Sequence, residues 1–182
     1  MSDVEQQRRR IDQVRDEEFT AALEDVSLDE LRERRAMLDQ LDTELSFYRR
    51  MLHGRMDLLS FEMRRRSGEE SRSLIEALPE ILADSMSAPR DDLPRELEIA
   101  APEFVGEGRR TIDRVLGDDF LTHLPSIGDD ELEEIQSLLT TAEREISDQR
   151  RDVYEAYEVV TAELTRRYRE GLADVDELLT SG

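Results

Sequence analysis

The sequence predicts an all-α protein built on two long helices, and three observations carry that prediction. All five prolines (Pro79, Pro89, Pro94, Pro102 and Pro125) fall in the middle of the 182-residue chain. The stretches 27–68 and 129–171 are therefore free of the residue that most strongly interrupts a helix by removing an amide donor. Each stretch carries an apolar residue at every seventh position: Leu31, Leu38, Leu45, Leu52 and Leu59 in the first, Leu132, Leu139, Ile146, Val153 and Val160 in the second. A strict seven-residue repeat is the seam of a coiled coil. A constant offset of 101 residues carries Leu31 onto Leu132 and Leu59 onto Val160, so one seam is a copy of the other.

Taken in order, residues 1–26 form an N-terminal arm or short helix, with the run Arg8-Arg9-Arg10 and a sparse apolar pattern at Ile11, Val14, Phe19 and Leu23. The first long helix, over 27–68, opens on Ser27-Leu28-Asp29-Glu30, a capping-box signature, and stops near Ser67-Gly68. Residues 69–128 are a proline-containing connector. A short helix is expected around Leu74, Ile75, Leu78, Ile81 and Leu82, an irregular stretch over 88–108, and a second short helix around Ile112, Val115, Leu116, Phe120 and Leu121. The second long helix, over 129–171, opens on Asp129-Asp130-Glu131 and ends before Gly171, and residues 172–182 are a tail. Each long helix is expected to be about 60 Å long at 1.5 Å per residue.

Composition narrows the function. With 25 basic and 46 acidic side chains the formal charge is −21, so the surface repels nucleic acid and favours a basic protein partner. Cysteine is absent, which removes disulfides, thiol nucleophiles and thiolate metal sites. The first residues, Met1-Ser2-Asp3-Val4-Glu5, contain no apolar signal core, and no apolar run reaches membrane-spanning length. A cytoplasmic protein with no membrane contact is expected. Every basic residue is arginine and asparagine is also missing. Codon bias explains this, and so does a need for planar guanidinium forks; composition alone leaves both open.

The offset of 101 matches more than the seams. Asp29-Glu30-Leu31 falls on Asp130-Glu131-Leu132, Glu44 on Glu145, Ser46 on Ser147 and Arg49-Arg50 on Arg150-Arg151. Glu62 falls on Glu163, and Arg65-Arg66 on Arg166-Arg167. This is an internal repeat of about 40 residues, the length of the long helices. Within copy one, Asp42, Ser46, Arg49, His53 and Asp57 lie within about 80° of one another on a helical wheel. They make a narrow polar stripe about 22 Å long beside the leucine seam. Copy two repeats it as Glu143, Ser147, Arg150, Tyr154 and Glu158. Carboxylates accept paired N–H donors such as those of a guanine, arginines donate in pairs to guanine or phosphate, and flat side chains stack on purines. A guanine nucleotide with phosphates, itself two-fold symmetric, suits such a duplicated set.

Both stripes resemble the E-x3-S-x2-R-x3-Q-x3-D signature of the RsiG anti-sigma factors of actinobacteria. Copy one reads D-x3-S-x2-R-x3-H-x3-D, and His53-Gly54-Arg55-Met56-Asp57 is similar to that family's Q-G-R-x-D stretch. Copy two reads E-x3-S-x2-R-x3-Y-x3-E. Serine and arginine match in both copies, while Asp42, His53, Tyr154 and Glu158 depart from the pattern. The resemblance implies an antiparallel hairpin of the two helices, an orientation that the sequence physics leaves open. It implies a cyclic di-GMP-responsive anti-sigma factor that sequesters a WhiG-class sigma factor and so regulates transcription and development, including sporulation. It also implies a pair of cyclic di-GMP molecules held by the ten motif residues. One chain then supplies both motif copies, and a monomer is expected for the free protein.

No enzyme activity is expected: neither serine has a neighbouring base other than acids and arginine, and there is no glycine-rich phosphate loop. No metal is expected either, because zinc wants three or four ligands with N or S donors and copy two replaces His53 by Tyr154. The alternative reading is a structural coiled-coil adaptor with no nucleotide ligand.

Overall fold

The structure, a computed structural model, describes residues 10–86, 115–117 and 120–171. The first nine residues of the arm, the expected irregular stretch 88–108, Ile112 and the tail 172–182 lie outside these. Among the described residues all regular structure is helical. Two long helices dominate: α1 over Leu28–Ser67 and, after the short helices α2 (Leu74–Met86) and α3 (Phe120–His123), α4 over Asp129–Arg169. Three single turns of 3-10 helix accompany them, Glu17–Phe19 and Leu23–Asp25 before α1, and Leu124–Ser126 before α4.

The ends of the long helices follow the local sequence. The Ser27 hydroxyl accepts a hydrogen bond from the Glu30 amide at 3.2 Å, the N-cap that the serine promises. Acidic residues fill both first turns and arginines both last turns, favourable partners for the helix dipole. Gly68 and Gly171 follow the two helices with φ of 84° and 67°, the left-handed region in which a glycine ends a helix without a Cβ clash. Proline delimits the long helices but not α2, which contains Pro79.

The chain divides into two compact units, one formed by Met1–Thr43 with Gln149–Gly182 and the other by Glu44–Asp148. Each unit therefore takes part of α1 and part of α4. In the first unit the two pieces run antiparallel: Arg32, early in α1, donates to the Tyr168 hydroxyl, late in α4, at 3.3 Å, and Asp42 meets Arg150. In the second unit Arg49 meets Glu143 and Arg66 meets Asp129, again antiparallel. Within each unit the pieces of the two long helices thus pair antiparallel, the orientation that the resemblance implies. All ten heptad positions, from Leu31 to Leu59 and from Leu132 to Val160, are at most 1% exposed. The sequence seam is the structural core.

The internal repeat is longer than the two helices. The same offset carries Val14 onto Val115, Phe19 onto Phe120 and Leu23 onto Leu124, all buried. It carries the 3-10 turn Leu23–Asp25 onto Leu124–Ser126, and both turns close with an amide returning to the first residue's carbonyl (Val26 to Leu23, Ile127 to Leu124). The phenylalanines each sit under a guanidinium, Arg34 over Phe19 at 5.1 Å and Arg55 over Phe120 at 5.5 Å. The repeat positions of those arginines are taken by Ile135 and Ala156. The aromatic–cation contact is kept in both units, but the arginine that makes it comes from non-equivalent positions.

Just beyond the seam each copy carries a carboxylate clamp. Glu62, 1% exposed, accepts from Arg65 Nε and Arg66 Nε at 2.8 Å each. Arg66 continues to the carbonyls of Ile127 at 2.7 Å and Leu124 at 3.3 Å. In copy two Glu163 accepts from Arg166 and Arg167 at 2.8 Å, and Arg167 donates to the carbonyls of Leu23 at 2.6 Å and Glu24 at 3.1 Å. A carboxylate orients two arginines, and one of them ties the 3-10 turn to the end of the long helix that completes the unit. Arg66 and Arg167 are therefore more than neighbours of the helix dipole: each guanidinium fork serves a carboxylate and two carbonyls at once.

The clamp is acid-sensitive by construction. Hydrogen bonds from Arg166 and then Arg167 outweigh the opposing effect of burial and hold Glu163 at about 2. Arg65, with Arg66 assisting, likewise holds Glu62 below the usual carboxylate range against burial. A carboxylate whose folded pKa is depressed stabilises the fold fully above its unfolded value, about 4.3, and loses that contribution as pH falls through the folded value. The Glu163→Gln variant is expected to be less stable than wild type at pH 7. The gap in melting temperature between the two should narrow as the pH is lowered from about 4.5 towards 2. A gap that stays constant over that range would show that Glu163 does not carry the clamp.

Candidate functional site

The ten motif residues divide between the two units, and in each unit an arginine from one copy reaches the first acid of the other. In the second unit α1 brings Ser46, Arg49, His53 and Asp57, and α4 brings Glu143 and Ser147. Arg49 Nε donates to Glu143 Oε1 at 2.9 Å and to Ser147 Oγ at 3.0 Å. His53 Nε2 lies 3.1 Å from the same carboxylate oxygen, and the Ser147 hydroxyl donates to it at 2.8 Å. Glu143 Oε1 is thus the centre of a four-residue cluster. Burial pushes the Glu143 carboxyl up, but bonds from Ser147, His53 and Arg49 outweigh it and hold the group below the usual carboxylate range.

In the first unit α1 brings Asp42 and α4 brings Arg150, Tyr154 and Glu158. Arg150 Nε donates to Asp42 Oδ1 at 3.1 Å. This is the repeat image of the Arg49–Glu143 pair, because Asp42 and Glu143 are equivalent positions, as are Arg49 and Arg150. The image is incomplete at the next position. Tyr154 stands where copy one has His53, and it is 61% exposed; no polar contact joins it to Asp42 among the described residues.

The structure therefore joins Arg49, His53, Glu143 and Ser147 in one cluster and Asp42 with Arg150 in another. It does not bring the last acid of either motif into them. Asp57 and Glu158 are exposed and line separate cavities. Asp57 borders one of about 270 Å³ with Ser60, Phe61 and Arg64 of α1 and residues of α2. Glu158 borders one of about 530 Å³ with Thr161, Ala162 and Thr165 of α4. These four-residue faces are again equivalent under the repeat. Ser46, half-buried on α1, stands outside the cluster that its counterpart Ser147 enters.

Two flank arginines beside the motif, Arg15 and Arg35, make contacts that carry no signal in the sequence. Arg15 Nε donates to Asp152 at 2.7 Å, tying the N-terminal arm to α4 two residues after the motif arginine. Arg35 lies over the Tyr157 ring at 5.8 Å. Tyr48 packs in the seam at 4% exposure, and burial, with the Glu44 carboxylate adding to it, pushes its hydroxyl up to about 12. A polar pattern signals Arg15 and Arg35 only as flank; which flank residue meets which depends on the register of the two helices.

Chemically, the two clusters offer fixed guanidinium groups, carboxylates and a hydroxyl on a partly exposed helix face. They suit a planar polar ring or an anion. Among the described residues no group of three or more His, Cys, Asp or Glu is placed to hold a metal ion, and no described helix is long and apolar enough to cross a membrane.

Fold and site together define an all-helical protein in which each unit pairs pieces of two long helices through an arginine–carboxylate contact. Residues 17–82 match the family model described as RsiG-like, consistent with an RsiG-type anti-sigma factor. The matched stretch contains the whole of motif copy one, Asp42 to Asp57. No curated protein matches the chain.

Proposed function

We propose that this chain is an anti-sigma factor of the RsiG type, whose hold on a WhiG-class sigma factor depends on cyclic di-GMP bound at the two arginine–carboxylate clusters. The observation that carries the reading is the reciprocal pairing of the motif copies. In each unit an arginine fork and a carboxylate from opposite helices meet on one partly exposed face, and the RsiG-like match spans copy one entire. A guanine presents O6 and N7 to an arginine and N1–H and N2–H₂ to a carboxylate. Arg49 with Glu143, and Arg150 with Asp42, are therefore two ready-made recognition pairs, each now satisfied by its own partner.

On this reading the base exchanges an internal ion pair for two bonds of its own, and the phosphates draw on the serine hydroxyls and the remaining guanidinium nitrogens. The bound nucleotide bridges α1 to α4 and adds its own surface to the face that meets the partner. Because both copies lie on one chain, no second copy of the protein is required. The acid-rich exterior supplies the partner contact: the nucleic-acid-binding regions of a sigma factor are basic, and complementary charge speeds and steers their encounter.

The test is a pull-down of a purified WhiG-class sigma factor by the full chain, with and without cyclic di-GMP, at about 50 mM and 500 mM salt. Capture that differs at least tenfold with nucleotide, and weakens at high salt as screening shortens the reach of charge, is the expected result. Capture indifferent to nucleotide would remove the ligand from the mechanism, and no capture under any condition would leave the structural-adaptor reading in its place.

A further inference from the structure

The two clusters are repeat images in sequence but not in bonding, and the difference lies at one position. In the second unit His53 and Ser147 join Arg49 on Glu143 Oε1, so that one oxygen accepts from three groups, and Arg49 Nε is itself shared between Glu143 and Ser147. In the first unit Asp42 accepts from Arg150 Nε alone among the described residues, and its side chain is 46% exposed against 21% for Glu143. Tyr154, in the place of His53, leaves Asp42 alone and is 61% exposed.

A guanine entering the second unit must take Glu143 from three donors. In the first unit it displaces one, and it finds an exposed aromatic ring one helical turn from Arg150 on which to stack. We infer that the two clusters fill in order: the Asp42–Arg150–Tyr154 cluster accepts a guanine first, with the base stacked on Tyr154, and the Arg49–His53–Glu143 cluster fills second, when His53 releases Glu143. This rests on the cyclic di-GMP reading above. His53 and Tyr154, which share the one motif position where the copies differ most in chemistry, then set a graded response to nucleotide concentration in place of a single threshold. Tyr154 is a binding residue; His53 is a positioning residue that acts through Glu143.

Titration calorimetry of the full chain with cyclic di-GMP tests the order. Wild type is expected to bind in two resolved steps whose affinities differ by about tenfold or more, the equivalent of one hydrogen bond to a charged group. Tyr154→Ala removes the tighter step and Tyr154→Phe keeps it, since a phenyl ring stacks as well. His53→Ala tightens the weaker step, bringing the two constants together. Tyrosine emission adds a direct readout, because the chain has no tryptophan and four tyrosines. It falls during the first step in wild type and falls less in Tyr154→Phe, a difference that a merely structural role for Tyr154 would not produce. Two indistinguishable steps in wild type, or an unchanged tighter step in Tyr154→Ala, overturns the order while leaving the nucleotide site in place. No binding up to about 1 mM overturns the nucleotide reading itself.

Discussion

Replacing both motif arginines, Arg49→Ala with Arg150→Ala, is expected, on the proposed nucleotide reading, to weaken cyclic di-GMP binding by at least about a hundredfold while leaving the helices folded. A hydrogen bond to a charged group contributes about 1.5–3 kcal/mol. Losing one such contact in each cluster removes about 3–6 kcal/mol from the nucleotide complex, or roughly 10²–10⁴ in affinity. The substitutions also leave Asp42 and Glu143 without their cations, so the remaining surface repels phosphate more strongly. The fold survives because these ion pairs are partly exposed: Arg49 and Arg150 side chains are 38% and 34% accessible, and such pairs contribute about 0–1 kcal/mol each. Calorimetry gives the affinity and circular dichroism the helix content. Binding within threefold of wild type in the folded double variant would place the nucleotide elsewhere.

The clamp arginines should behave in the opposite way, with a large effect on stability. Arg66→Ala removes bonds to Glu62, Asp129 and the carbonyls of Leu124 and Ile127. Arg167→Ala removes those to Glu163, Leu23 and Glu24. Each leaves a carboxylate with one arginine and strands carbonyls under the long helices, at a cost of about 2–3 kcal/mol. The two clamps lie in different units and share no partner, so the costs should add. The double variant should melt about 10–20 °C below wild type, given roughly 2–4 °C per kcal/mol for a chain of this size. Arg→Lys at both positions should recover little, because an ammonium cannot serve carboxylate and carbonyls through one planar fork. A shift under 3 °C in a thermal melt would mean that water satisfies those carbonyls just as well.

How much of this was legible in the sequence depends on how far an argument could travel along one helix. The heptads were legible because burial in a coiled coil repeats with the helix itself: all ten seam positions are in the core, and Ser27 and the terminal glycines mark the ends. The repeat extends beyond the helices whose periodicity reveals it. Phe19 and Leu23 match Phe120 and Leu124 at the same offset, but single 3-10 turns have no periodicity to draw attention to them. The motif residues were legible as a stripe, and the pairing of its two copies was not. That Arg49 meets Glu143 and Arg150 meets Asp42 follows from the antiparallel register, a relation between residues about a hundred positions apart. The same blindness hid the clamps, since Arg66 and Arg167 look like ordinary helix-end arginines until the carbonyls they reach are in place.

The division of each long helix between two units has a consequence for how the chain finds its fold. The unit 44–148 is one uninterrupted stretch, and its bonds between α1 and α4 or the preceding turn span 58 to 98 residues. The other unit is assembled from both ends of the chain, and the bonds that join those two segments span 108 to 144 residues. Closing a longer loop costs only about 0.6 kcal/mol per doubling, but the order matters more than the sum. The unit 44–148 can close with residues of that one stretch, whereas the other needs both ends of the chain. By the sequence separation of its contacts, the unit 44–148 is expected to form first. The Asp42–Arg150–Tyr154 cluster and the clamp at Arg167 belong to the unit expected to close second.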